Sequence, residues 1–388
     1  EIYMGDWSSD VCSSDLTTFL RQDWELPITG GSWRWGLAAR RDETRYAYAR
    51  DIVTLPEVAA LFGQPAASQF ELAADVKLRE YEAWTALSKE LSHWTLDGGV
   101  HWTHADYSTG KDHAEWDPRL AVLYRASSAT HVRLAWGRMT QTWAASELPV
   151  EIDGALMPDS SRTQTLTLGV EHELGAAVAL RIEAYDKDVQ RPRPRRENIL
   201  DPLTLVQELR PDTQVIRPSG ARIRGAEIHL SGPFRDDIEG WASYAWSQAR
   251  DVVDGGDIAR SWDQLHAVAA GAAIDKGGWT LSGAITVRSG WPTTPILPGQ
   301  PPLGIEIGER NSAQGDDFFT LDLRAERRFA LAHGDLRLVL EVQNATNRAN
   351  YCCSELRFER DADGGLVARE VRRDWLPLVP QASIAWTF

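Results

Sequence analysis

The stretch FTLDLRAERRF, residues 319–329, decides the fold. Phe319, Leu321, Leu323 and Ala325 alternate one for one with Thr320, Asp322, Arg324 and Glu326. Successive side chains of an extended strand point to opposite faces, so this segment makes a ribbon with one apolar and one charged side. A helix would need apolar residues three and four apart, and would mix the two sets. The same alternation recurs on either side along the chain. Val178, Leu180, Ile182 and Ala184 oppose Arg181, Glu183 and Tyr185, and Leu336, Leu338, Leu340 and Val342 oppose Arg337, Glu341 and Gln343. Trp279, Leu281, Gly283, Ile285 and Val287 oppose Thr280, Ser282, Ala284, Thr286 and Arg288.

The segments between such ribbons are alternately short and long. Short ones fall near 28–31, 88–92, 126–128, 174–175, 232–238, 275–278 and 332–334. Long ones fall near 51–69, 108–116, 144–160, 192–217, 252–260, 291–317 and 348–376. Seven of each join 15 strands, with tight turns gathered at one end and long loops at the other. That asymmetry, together with strands longer than the five or six residues usual in soluble sheets, predicts an all-β chain: a transmembrane antiparallel β-barrel.

Composition agrees with this reading and removes others. The 388 residues carry 41 Lys plus Arg against 56 Asp plus Glu, a formal charge of −15, and 43% are hydrophobic. No run approaches the roughly 18–20 apolar residues of a membrane-spanning helix. Barrel strands are apolar on one face only and escape that test. The acidic balance argues against nucleic acid as a partner, because phosphate contact needs a basic face. Three cysteines make neither a disulfide framework nor a zinc site. Residues 1–16, EIYMGDWSSDVCSSDL, lack the basic start and apolar core of a secretory leader. They read as the translation of a sequencing-library adapter, which makes them a non-native leader and 17–388 the barrel portion.

Seventeen tryptophans are the outlying number. Trp279 and Trp291 share parity, and twelve extended steps tilted by about 45° rise roughly 28 Å, close to the ~25 Å apolar band of such barrels. They are therefore expected to mark two aromatic belts. Trp24, Trp33, Trp94, Trp241 and Phe388 would join Trp279 on the periplasmic belt, and Trp143 and Trp262 would join Trp291 on the outer one. At the terminus Ala382, Ile384, Trp386 and Phe388 form one face of a last strand that stops on an aromatic ring.

The terminal strand, with Ile384, Trp386 and Phe388, resembles the segment by which bacterial outer-membrane barrels are read by the barrel assembly machinery. More widely, the chain resembles the C-terminal barrel region of TonB-dependent outer-membrane receptors. The likeness rests on RSWDQLHAV (260–268), RSGWPTTP (288–295), GERNSA (308–313), LDLRAERRF (321–329), LEVQNATNRANY (340–351) and LPLVPQASIAWTF (376–388), in that order. Ala345 and Thr346 depart from the family's apolar pair in the penultimate-strand motif. The family's barrel has about 22 strands around a plug. The resemblance thus implies that about seven strands and the plug domain are missing from this fragment. The strands at 17–26 and 381–388 would then be edges of an open or incompletely closed barrel, giving either a curved open sheet or a forced, undersized closure.

What the resemblance implies about function is energy-coupled uptake of a scarce nutrient across the bacterial outer membrane, with a ferric siderophore or similar chelate as default cargo. Implied partners are outer-membrane lipid, the assembly machinery, the TonB complex acting through the missing plug, and the small-molecule cargo. No catalytic constellation, metal set or cofactor motif is expected, so the chain is not read as an enzyme. The rival readings are a passive outer-membrane porin and a soluble β-sandwich binding module, in which the apolar faces would meet across a dry core.

Candidate polar residues lie on the wet face: Arg181, Glu183, Arg288, Asp322, Arg324, Glu326, Arg337 and Glu341 would line the lumen as cross-strand ion pairs or plug contacts. His101 and His104, three apart on a strand, fall on opposite faces and cannot share a metal. Asp251, Asp254 and Asp257 lack calcium-loop spacing and read as a solvated loop. Cys352 and Cys353 read as incidental, the alternative being a loop staple or a metal contact. Individual cargo ligands are not legible.

Overall fold

The computed structural model describes residues 7–175 and 177–388. Fifteen strands follow one another as antiparallel neighbours in a single sheet. They are β1 (Trp7–Ile28), β2 (Gly31–Val53), β3 (Ala67–Leu91), β4 (Trp94–Tyr107), β5 (His113–Arg125), β6 (Thr130–Gln141), β7 (Ser161–Leu174) and β8 (Val178–Gln190). The second half comprises β9 (Gly220–Arg235), β10 (Ile238–Val253), β11 (His266–Lys276), β12 (Trp279–Arg288), β13 (Phe318–Leu331), β14 (Gly334–Gln343) and β15 (Val379–Thr387). A sixteenth short strand, Gly256–Ala259, pairs with β10 off this path. The expected all-β architecture, wall-strand count and alternation of turns and loops are all present. Helices are confined to short pieces such as Pro56–Leu61, and among the described residues no helix is long and apolar enough to cross a membrane.

Register turns the alternation of each strand into two continuous surfaces. One row runs Ala270, Ile285 and Leu321; the next runs Ile274, Leu281, Ala325, Leu340 and Ala382. The opposite face carries Ser282, Arg324, Glu341 and Gln381 in one row. Leu323, Leu340 and Ile285 remain 45%, 44% and 37% exposed, so the apolar sides do not meet each other. A β-sandwich would bury these side chains, and that alternative fails here. An apolar exterior with charge inside is what a wall between lipid and water requires.

Among the described residues β1 pairs with β2 alone and β15 with β14 alone. Of the two expected outcomes, the sheet therefore shows the one with two edges. Residues Trp7–Leu16, assigned above to an adapter, continue β1 opposite Glu43–Ile52. The turn joining β13 to β14 depends on glycine: Gly334 has φ +105°, and a Cβ there would collide with the Thr387 carbonyl of β15.

The loops at the end of the long connections are folded. Residues 142–160 turn inward onto the wet faces of β2–β4. Tyr107 Oη donates to the Trp143 carbonyl (2.8 Å) and accepts from the Trp143 amide (2.9 Å). Tyr46 Oη donates to the Ala145 carbonyl (2.7 Å) and accepts from the Leu148 amide (3.0 Å). Tyr46, Tyr48, Val76, Leu78, Ala105 and Tyr107 then bury against Trp143, Leu148 and Met157. A second core draws on four connections: Val58 and Phe62, Ile199 and Leu200, Leu303, and Leu356, Phe358 and Leu366. Each such side chain contributes roughly 1.5–3 kcal/mol on burial, so the loops form a cap with its own core.

Candidate functional site

The cap is held by charge as well as by apolar contact. Asp251, at the outer end of β10, is fully buried and lies 2.6 Å from Arg195 and 2.7 Å from Arg260. Glu197 lies 2.5 Å from both Arg195 and Arg310 and accepts a hydrogen bond from Ser261 Oγ at 2.8 Å. Asn311 Nδ2 donates to the Ala259 carbonyl at 2.8 Å. Three long loops are thus tied at one point. Burial alone would raise the Glu197 carboxyl, but Arg195 and Arg310 outweigh it and hold it below the usual range. Burial likewise disfavours charge on Arg195, and Glu197 with Asp251 overcomes it, so its guanidinium holds its proton more firmly than usual. The solvated-loop reading of Asp251 is corrected: its partner Arg195 is 56 residues away, a distance no local pattern reports.

Beside this latch a cavity of about 350 Å³ opens between the β2–β3, β8–β9 and β14–β15 loops. Phe62, Leu200, Leu209, Leu356 and Phe358 supply apolar walls, and Arg50, Arg196, Glu208, Arg210, Asp212 and Glu355 the charged ones. Burial raises the Asp212 carboxyl despite the Arg210 charge nearby. Gln64 Nε2 donates to the Thr213 carbonyl at 3.0 Å and joins two of the loops. A hollow with apolar walls and charged groups converging on it is a usual form of a small-molecule site.

Cys352 and Cys353 are joined as a vicinal disulfide, which corrects the incidental reading: the ring stiffens one dipeptide of the loop. Cys353 is buried, and the pair faces Leu200, Trp291 and Asn311 at a small gap beneath the cap.

Register places all eight predicted wet-face residues on one surface. Arg181 lies 2.8 Å from Glu183 and 4.0 Å from Glu171. Glu326 is met by Arg324 at 2.7 Å, Arg337 at 2.8 Å and Arg328 at 3.2 Å. Arg328 was missed, although it sits two residues beyond Glu326 and shares its parity. Asp322 accepts the Asn344 amide at 2.8 Å. Arg288 stacks on Phe318 at 4.0 Å, and Glu341 stands opposite Arg324 in register. His101 faces inward, 3.1 Å from Glu82, while His104 stacks with Trp102 on the outer face. Among the described residues no cluster of metal-ligating side chains occurs.

The aromatic residues divide. Trp24, Trp33 and Trp94 lie on the outer face near the short turns, Trp33 within 4.6 Å of Trp35 and Trp94 within 4.4 Å of Tyr124. Trp279 lies beside Arg327 at the same end, and Trp386 packs on Phe388 and donates to the His333 carbonyl. Trp241 does not join them. It pairs with Ser231 and Gly271 on the inner face, because residues 238–253 extend in unbroken register and 241 has the parity of Ser243. Trp143 is also corrected: it is buried in the cap under Arg193, whose guanidinium lies 4.0 Å over the ring. Trp262 and Trp291 pack edge to face at 5.1 Å, with Trp375 next, beyond the strand that ends at Arg288. Trp102 and Trp116, 6.3 Å apart on the outer face, were overlooked although their parity marks them.

A family model described as "TonB dependent receptor-like, beta-barrel" matches residues 4–345. The chain belongs to this family. TonB-dependent receptor barrels reside in the outer membrane of Gram-negative bacteria, and that is the location of the family this chain belongs to. Solved structures share the fold at low identity. The ferric citrate transporter FecA matches with a TM-score of 0.60 and 15% identity over 100% of this chain and 56% of its own. The ferric preacinetobactin receptor BauA from Acinetobacter baumannii gives 0.58 and 15%, over 98% and 55%. The copper transporter OprC gives 0.65 and 14%, over 98% and 57%. The chain spans little more than half the length of these relatives. Among curated proteins no sequence match is found.

Proposed function

We propose that this chain forms the wall and outer cap of an energy-coupled transporter that takes a scarce nutrient through the outer membrane, with a ferric siderophore or similar chelate as cargo. The observation that carries the reading is the cap: four loops converge on one core and leave a cavity of about 350 Å³ at the extracellular mouth. A ferric citrate transporter and a ferric preacinetobactin receptor share the fold, which supports a chelate over a sugar or vitamin. Transport needs binding and release and no covalent chemistry. The drive would come from the TonB complex through a plug within the wall. Trp24, Trp33, Trp94 and Trp279 would set the inner interface with lipid, and Ile384, Trp386 and Phe388 would be read by the assembly machinery.

The test uses the full-length receptor gene. Cells that depend on it should take up radiolabelled ferric chelates, and should stop when TonB is deleted. Uptake that is indifferent to TonB, or a steady open conductance from the purified full-length protein, would establish the passive-pore alternative instead.

A further inference from the structure

Between β5 and β6 the wall is closed by side chains where a ladder would be expected, and we propose that this seam is a lateral cleft for a hydrocarbon chain of an outer-leaflet lipid. The inference goes beyond the transporter reading. It rests on the wall standing in the membrane.

β5 and β6 pair from Arg125 opposite His131 to Arg119 opposite Gly137, and then part. Beyond that point, among the described residues, 113–118 of β5 pair with β4 alone and 138–141 of β6 pair with β7 alone. Elsewhere in the wall each ladder runs to within two residues of a strand end. The break begins at Pro118, which has no amide hydrogen to give to a ladder. Side chains take over. Asp117 is buried and accepts the Thr140 amide at 2.8 Å and the Thr140 hydroxyl at 3.0 Å. Arg138 lies 3.6 Å from Asp117 and donates to the Trp116 carbonyl.

The seam lies at hydrocarbon depth. Tyr124 of β5 stands beside Trp94 at the end of the short turns. Pro118 is six extended steps beyond that level and His113 eleven, roughly 14 and 26 Å at a tilt of about 45°. The unpaired stretch therefore occupies the outer half of the ~25 Å apolar band. Main-chain groups there have no water to turn to, so the Asp117 clasp is what makes the gap tolerable. A seam held by two side chains can part without unravelling a ladder.

The flanks select the occupant. Trp116, Leu120 and Trp136 are exposed on the outer face beside the seam. On the inner face Met139 is 53% exposed, a long apolar side chain on a surface that elsewhere on these strands carries Arg119 and Arg133. Arg138 and Met139 also border a hollow of about 880 Å³, within the size range of a ligand site. An added β-strand would need about 9.6 Å between β5 and β6, twice the ~4.8 Å ladder spacing, and a side chain bonded to the Thr140 amide does not span that. A lipid chain already lies against Trp116, Leu120 and Trp136, needs no hydrogen bonds, and meets Met139 on the far side.

The test places the purified full-length receptor in vesicles whose phospholipid carries a photoactivatable diazirine near the end of one acyl chain. After illumination, mass spectrometry should find label on Leu120 and Trp136, which face lipid in any case, and also on Met139, which faces the lumen. Asp117→Ala, checked for heat-modifiable migration of the folded barrel, should raise the Met139 label several-fold relative to Leu120. Joining Trp116→Cys to Thr140→Cys with a short bis-maleimide should abolish the Met139 label and spare Leu120. Label on Leu120 with none on Met139, in both the unaltered receptor and Asp117→Ala, would overturn the proposal. So would a Met139 label that survives the cross-link. Absence of label from Leu120 and Trp136 as well would overturn it through the membrane placement of the wall, an outcome distinct from a seam that stays shut.

Discussion

Replacing Asp251 by alanine should release the outer cap without unfolding the wall. Asp251 is fully buried and accepts from Arg195 at 2.6 Å and Arg260 at 2.7 Å. Removing one member of a buried ion cluster typically costs about 3–5 kcal/mol, because the partners keep their charge and lose their compensation. Here Arg195 keeps Glu197 at 2.5 Å, and the two arginines retain 29% and 28% side-chain exposure, so water can reach them and the lower figure applies, ~3 kcal/mol. At 1.4 kcal/mol per decade that is about a hundred-fold rise in local opening. Hydrogen exchange with peptide resolution reads it directly. Amides of the Arg195–Asn198 and Thr213–Ile216 hairpin and of Gly256–Ala259 should exchange about a hundred-fold faster, while β12–β14 keep their protection. The Arg260→Ala change should add little to Asp251→Ala, since both break one network. Unchanged exchange in those hairpins, or equal loosening of β12–β14, would refute the latch.

Further expectations concern other parts of the molecule. Glu197 sits below its ordinary range, so its contribution to cap stability is complete above about pH 4.3 and is lost as pH falls through the lower folded value; the Glu197→Gln change should therefore alter cap protection factors, corrected for the intrinsic pH dependence of amide exchange, by the same amount at pH 7 and pH 5, and the difference should shrink only in stronger acid. Leu323→Arg on the lipid face should cost about 2–4 kcal/mol in reversible folding into vesicles, whereas Ser282→Arg on the wet face of β12 should cost far less. Tyr107→Phe strips the Trp143 amide and carbonyl of their partner, about 1–3 kcal/mol, and should make residues 142–160 sensitive to protease in the intact barrel. Neither Cys352 nor Cys353 should take up an alkylating reagent until a reductant is added.

The wall was legible from the residues because its rule is local. A strand between lipid and water must alternate every second residue, so Phe319 to Glu326 state their own facing, and the short and long gaps state which end of the membrane they belong to. Even the errors within the wall are errors of parity: Trp241 counted from Ser243 falls on the inner side, whatever its nearness to a strand end suggests. The cap obeys no such rule. Asp251 meets Arg195, Tyr107 meets Trp143, and Phe62 meets Leu356 only once the sheet has curved and brought distant connections over one mouth. Nothing periodic links those positions. Sequence therefore determined the membrane-facing ribbon and its order, through a two-residue repeat imposed by solvent on either side. Tertiary structure decided which loop charges are buried and where a ligand-sized space remains, because those depend on groups that approach each other only after the wall is formed.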